Sequence, residues 1–329
     1  MKSPVQRKKN LEMEVLQPVS KCQKISHYTI DDLPDELILE ILSFMNVKEI
    51  IKCGQVSKRI RAICSDTSFW KDIYLVSKKV KAEFIKFILD RNCDLLDIKD
   101  TMINGFVKLN KTYKLSYLEL TGYCCHNSTK NFHHEILNSC SSLISLRMNC
   151  IKRSSNIVLQ NLCKRNGQTL ISLNLKSCPW ISKKSLQVIS EYCTQLTEIN
   201  LSCTCIPQDA MDSLISAVSP KVEKVCLDTI TDKQIETLVS RCNRITKLDI
   251  SEAELTDSSI TSVIKHLKHS LEYLDIRLIP EISYEKVLEL KSMSKLRILR
   301  YGFKSWHTMT LRKKLPHLRV NQEKGIGRF

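Results

Sequence analysis

Glycine and proline are scarce in this 329-residue chain, 7 and 8 in all, which excludes a collagen-like or broadly disordered polypeptide. No apolar run reaches the roughly 18 residues that would span a bilayer, so no membrane partner is expected. The opening MKSPVQRKKNLEMEVLQ lacks the apolar block of a secretion signal, and an intracellular setting, nucleus and cytoplasm, is expected. Aromatic residues make up 6%, too few to interleave stacking rings with basic residues as nucleic-acid binding requires. No nucleic-acid partner is therefore expected. The chain has no Gly-rich phosphate loop, no G-x-S-x-G and no H-E-x-x-H, and nothing places a cysteine beside an activating base. No catalytic residue and no cofactor are expected.

What is abundant is positive charge and cysteine. The formal net charge is +16, which suits nucleic acid, an acidic membrane surface or an acidic protein and does not choose among them. QRKK at 6–9 reads as a nuclear address or a solvated tail. KRIR at 58–61 and KKVK at 78–81 read as exposed helix faces, and RKK at 312–314 falls on the last helix. The 15 cysteines are odd in number, and without a secretion signal they read as reduced thiols. CTC at 203–205 and CCH at 124–126 lack the paired spacing of a zinc site, so no metal is expected. FHHE at 132–135 reads as a solvated helix start.

The strongest signal is a repeat. LSYLEL begins at Leu115, LISLRM at Leu143, LISLNL at Leu170, LTEINL at Leu196, VEKVCL at Val222, ITKLDI at Ile245, LEYLDI at Leu271 and LRILRY at Leu296. The pattern L-x-x-L-x-L with a period near 20–29 residues is that of leucine-rich repeats. Its period of two gives a short strand. Segments between copies place apolar residues three and four apart, as in Ile260, Val263, Ile264 and Leu267, which gives a helix with one inward face. Strand and helix at a fixed period stack into a curved solenoid, parallel strands inside and helices outside. Cys140, Cys193 and Cys242, each three residues before a copy, and Cys178, just after one, are expected as buried small hydrophobes.

Ahead of the repeats, residues 31–63 read DDLPDELILEILSFMNVKEIIKCGQVSKRIRAI. Asp32 is placed to cap a helix with Pro34 in its first turn. Leu37, Ile38, Ile41, Leu42 and Met45 follow as an apolar stripe. Asn46 and Glu49 form a second cap, and a third helix runs past Val56, Ile60, Ile63 and Cys64. Three short helices of this size leave apolar surface bare, which marks a protein interface; alternatively they cover the end of the solenoid.

This segment resembles an F-box. Leu33, Pro34, Glu36, Leu37, Ile38, Ile41, Val56, Lys58, Arg59 and Trp70 fit the family pattern, with Ile60 where an internal Trp is usual. Followed by the repeats, it is similar to the F-box/leucine-rich-repeat substrate receptors. The resemblance implies docking to the small Skp-type adaptor of a cullin-RING (SCF-type) ubiquitin ligase, and through it to cullin and RING subunits. The residues implied are Leu33, Pro34, Leu37, Ile38, Ile41, Phe44, Met45, Ile50, Ile51 and Val56. The chain would be a non-catalytic receptor acting through proximity.

Side chains alternate along a strand, so the x positions of each copy face away from the core. These include Asn174, Lys176, Asn200, Lys224, Lys247, Asp249, Tyr273, Asp275, Arg277 and Arg300. The last six are the candidate binding set, rich in the types enriched at hot spots. The resemblance implies that this end meets a phosphorylated protein, such as a cyclin-dependent-kinase inhibitor, and a cyclin-kinase-associated accessory subunit. The expected layout is a tail (1–27), the F-box (28–75), a linker with a degenerate first repeat (76–110), repeats (111–320) and a tail (321–329). A leucine-rich-repeat scaffold with a helical cap and no ligase role is the alternative.

Overall fold

The computed structural model describes residues 29–122, 127–151, 154–302 and 305–321. The basic segment 6–9, the triplet 124–126 and the tail 322–329 lie outside the described residues. The chain divides into two compact units, Met1–Cys64 and Ser65–Phe329.

In the first unit, helix α1 spans Asp35–Ser43, α2 Val47–Cys53 and α3 Lys58–Ile63. Asp32 does not cap α1. It closes a separate 3-10 turn, Ile30–Asp32, accepting from the Thr29 N–H at 2.7 Å. Pro34 stands extended, at ψ 150°, so the helix begins one residue after it. Asn46 and Glu49 form the expected reciprocal box: Asn46 Oδ1 accepts from the Glu49 N–H at 3.2 Å, and Glu49 Oε2 from the Asn46 N–H at 2.9 Å. Ser57 caps α3 by accepting from the Ile60 N–H. Arg59 ties the unit together, with Nη1 donating to the Asp31 carbonyl and Nη2 to the Leu33 carbonyl, both at 2.6 Å.

The second unit carries a parallel sheet of eleven strands, neighbours paired in chain order from Asp72–Tyr74 to Arg319–Val320. Eight are the copies of L-x-x-L-x-L. Their fourth positions stand in register across the sheet: Leu118, Leu146, Leu173, Ile199, Val225, Leu248, Leu274 and Leu299, all buried. That stacked row is the core seam of the unit.

Two of the extra strands follow the same rule with other residues in the leading place. Trp70, Ile73 and Leu75 form one set, and Cys93, Leu96 and Ile98 the next, all buried. Ile73 pairs in register with Leu96, and Leu96 with Leu118. Trp70, counted in the F-box pattern, also takes the leading place of the first of these sets, edge-on to Phe87 at 5.2 Å. The stretch expected as a linker with a degenerate first repeat holds a strand of the sheet, Leu95–Asp97.

Most of these strands end in the same tight turn. The residue seven places after the start of a copy has positive φ at Ser77, Asp100, Cys150, Ser177, Cys203, Glu252 and Leu278, between 52° and 66°. Gly122 occupies that place at φ 141°, where a Cβ would come within 2.6 Å of Asp100 Oδ1. One residue on, Cys178 donates its thiol to the Met148 carbonyl of the preceding repeat at 2.7 Å, and Thr101 makes the equivalent bond to the Leu75 carbonyl. Cys140, Cys178, Cys193 and Cys242 are buried, as expected. FHHE is not a solvated start: Phe132 and His133 lie inside helix Asn127–Ser139 and are buried, and Glu135 accepts from the Leu109 N–H at 2.8 Å.

Candidate interaction surfaces

The apolar stripe of α1 splits in two. Ile38 and Leu42 turn inward and are 1% and 4% exposed. One helical step around, Leu37, Ile41 and Phe44 turn outward, 46%, 44% and 86% exposed, with Val56 at 78%. Leu33, Met45 and Ile51 are half-buried and Pro34 is exposed. Ile38 and Ile50 are corrected: both were expected on the interface, and both are spent on the unit's own core, at 1% and 3% exposure. A helix of nine residues cannot aim adjacent positions the same way, since each residue advances about 100°. The bare surface therefore centres on Leu37, Ile41, Phe44 and Val56.

On the inner face of the sheet the expected open row is largely closed. Asn174, Asn200, Tyr273 and Asp275 are buried, while Lys224, Lys247, Asp249 and Arg300 are half-buried. Lys176 and Arg277 are exposed. The cause is a repeated Asx turn at the strand end. Asn174 Oδ1 accepts from the Lys176 N–H, Asn200 Oδ1 from the Ser202 N–H and Asp249 Oδ1 from the Ser251 N–H, each at 3.1 Å. A short polar side chain that folds back on its own backbone leaves little for a partner.

Asp275 goes furthest. It is wholly buried, accepting from Arg277 Nε at 2.9 Å (Oδ1), Arg277 Nη2 at 2.8 Å (Oδ2) and Tyr273 Oη at 3.0 Å (Oδ2). Hydrogen bonding to Asp275 raises the Arg277 pKa, and burial together with the Asp275 charge raises that of the Tyr273 phenol. Asp275 thus holds the Arg277 guanidinium, and Tyr273 in turn holds Asp275. Lys247 pairs in register with Tyr273, and Arg300 with Asp275. The contact-capable members of the set are Lys247, Asp249, Arg277 and Arg300.

Further along, Lys224 pairs with Glu198, which also accepts from Ser172 Oγ at 3.0 Å. A cleft of about 20 Å³ between Arg147, Ser172, Asn174, Glu198 and Asn200 has room for one water. That volume is far below what a small-molecule pocket needs. Among the described residues, no group of three or more His, Cys, Asp and Glu is gathered as a metal site. Cys203 and Cys205 are exposed.

Sequence reasoning missed the strand at 72–74 and expected only a degenerate repeat around 95–97, where Trp70 and Cys93 take the leucine place; the alternation in WKDIYL and CDLLDI was the available signal.

The model of the SKP2 LRR domain matches residues 83–325, and an F-box-like model matches residues 30–76. Among solved structures, the chain is similar to one from the Rad7 and Elc1 complex in yeast, at 14% identity and TM-score 0.52, covering 90% of each chain. It is also similar to internalin C2 from Listeria monocytogenes, at 14% identity and TM-score 0.41, covering 78% of this chain and 92% of that one.

Proposed function

Because this chain belongs to the family with the SKP2 LRR domain, here preceded by an F-box-like segment, we propose that it is the substrate-recognition subunit of an SCF-type, cullin-RING ubiquitin ligase. The observation that carries this reading is the outward half of α1. Leu37, Ile41 and Phe44, with Val56, leave apolar side chains in water on a unit too small to waste them. A small Skp-type adaptor is the partner that fits, and it would bring cullin and RING subunits.

The repeats then hold the substrate. Arg277, fixed by Asp275, with Arg300 and Lys247, offers charge-assisted hydrogen bonds to a phosphorylated protein, and Asp249 can accept from donors beside the phosphate. A cell-cycle regulator such as a cyclin-dependent-kinase inhibitor, and a cyclin-kinase-associated accessory subunit, are proposed on the likeness of LPDEL, LNLKSC and LPHLRVN to the S-phase kinase-associated F-box protein. Ubiquitination and proteasomal degradation would follow, in nucleus and cytoplasm, with the chemistry supplied by other subunits and this chain contributing proximity.

Affinity purification of the tagged full chain under proteasome inhibition tests the reading. Recovery of the adaptor with cullin supports it. Recovery of folded chain without adaptor overturns it.

A further inference from the structure

The net charge of +16 is absorbed by neither surface described above, and the topology concentrates part of it. In each repeat the link from helix to strand returns to the same edge of the sheet. The backbone records this as a ladder: the Thr246 N–H donates to the Glu223 carbonyl, that of Glu272 to Thr246, of Arg297 to Glu272 and of Arg319 to Arg297. Successive links also touch through His269 Nδ1 and Ser294 Oγ at 3.4 Å. Along the last four links this edge carries Arg244, Lys268, Lys291, Lys295, Arg297 and Arg319, all exposed. None forms an ion pair with a carboxylate among the described residues. Glu272 shares the strip, and Glu289 is already engaged by Lys286 at 2.8 Å. The opposite edge, after the strands, is mixed, with Glu252, Glu254 and Glu281 exposed there beside Arg277.

Helix polarity explains part of this positive charge. A helix C-terminus carries about half a negative charge and attracts about one cation. Arg241 meets that need by donating to the Val218 carbonyl, and Arg165 by donating to the Leu137 carbonyl. Lys295, Arg297 and Arg319 lie beyond the helix ends, in the link and the last strand, and exceed what the dipoles require, while Lys291 sits in the last turn of the 3-10 helix Glu289–Ser292.

We propose that this strip docks an acidic, extended segment of a partner polypeptide. From strand Lys247–Asp249 to strand Arg319–Val320 is three strand spacings, about 15 Å at the sheet, which an extended peptide covers in about five residues. Single-stranded nucleic acid would want stacking rings, and no exposed aromatic shares the strip among the described residues. The site is independent of adaptor docking.

The test is fluorescence anisotropy of labelled decaglutamate titrated with the full chain at about 100 mM salt, where exposed charges beyond about 10 Å are screened. Reversal of Lys291, Lys295 and Arg297 to Glu is expected to weaken binding at least about tenfold. Reversal of Lys99, Lys184 and Lys233, exposed elsewhere on the second unit, should weaken it less than about threefold. A Gln version of the strip variant guards against misfolding, and adaptor binding should be unchanged in all of them. Equal losses in strip and control variants, no saturable binding by the parent chain, or tighter strip-dependent binding of an oligothymidylate of equal charge would each overturn the proposal.

Discussion

Arg59 sends Nε and Nη2 to one oxygen of Asp35, Oδ1, at 2.9 and 2.6 Å, while its remaining reach caps the carbonyls of Asp31 and Leu33. A residue of α3 thus fixes the entry of α1. The ion pair is substantially exposed, 37% and 58%, and by itself contributes less than about 1 kcal/mol. The carbonyl bonds matter more, because they hold the turn that aims Leu37 and Ile41 outward.

Arg59→Ala is expected to loosen that turn, costing about 1–2 kcal/mol locally. Hydrogen exchange should show the α1 amides exchanging about tenfold faster. Unchanged protection would mean the turn holds itself.

Asp275 is a buried carboxylate accepting from two residues, Tyr273 and Arg277. Asp275→Ala removes the acceptor that Tyr273 and Arg277 share, with an expected loss of about 2–3 kcal/mol in denaturant unfolding. Asp275→Asn keeps one acceptor and should lose less. Equal stability of Asp275→Ala and the parent chain would remove the positioning role.

His133 is buried, and its pKa is depressed to about 4 by that burial and by the neighbouring His134. The unfolded chain takes up this proton near pH 6.5, so the stabilising effect is full above that pH. It fades as pH falls from about 6.5 toward 4. In His133→Leu the loss of stability between pH 7.5 and 5 should be smaller than in the parent; an identical loss would place the titration elsewhere.

Burial opposes ionisation of Asp90, yet hydrogen bonds from Lys86, Lys111 and Tyr113 outweigh it and hold its pKa at about 2. This contribution is present above the unfolded value near 4 and is lost as pH falls toward 2. Asp90→Asn should flatten the thermal-midpoint profile in that window, and a profile parallel to the parent's would contradict the assignment.

Much of the repeat domain was legible because its strands keep the period of two over eight copies, and the Asn46–Glu49 box because both partners lie three residues apart. Trp70 and Cys93 hid two strands by filling the leading place with other residues. Ile38 and Ile50 show a different limit. Hydropathy marks a residue as wanting burial, and only the direction around the helix says whether its own chain supplies it. For Asn174, Asn200 and Asp275, strand alternation gave the correct face, but the turn at the strand end closed those side chains onto their own backbone. The basic edge emerges only when the links between helices and strands are stacked side by side.

The most direct test of adaptor docking is calorimetric titration of a purified Skp-type adaptor into the full chain and into its Leu37→Asp, Ile41→Asp double variant. The expected result is tight binding by the parent and a loss of at least about 100-fold in the variant, with the unfolding transition of the repeats unmoved. Parental affinity in the double variant would contradict the assignment of the outward face of α1 as the docking surface.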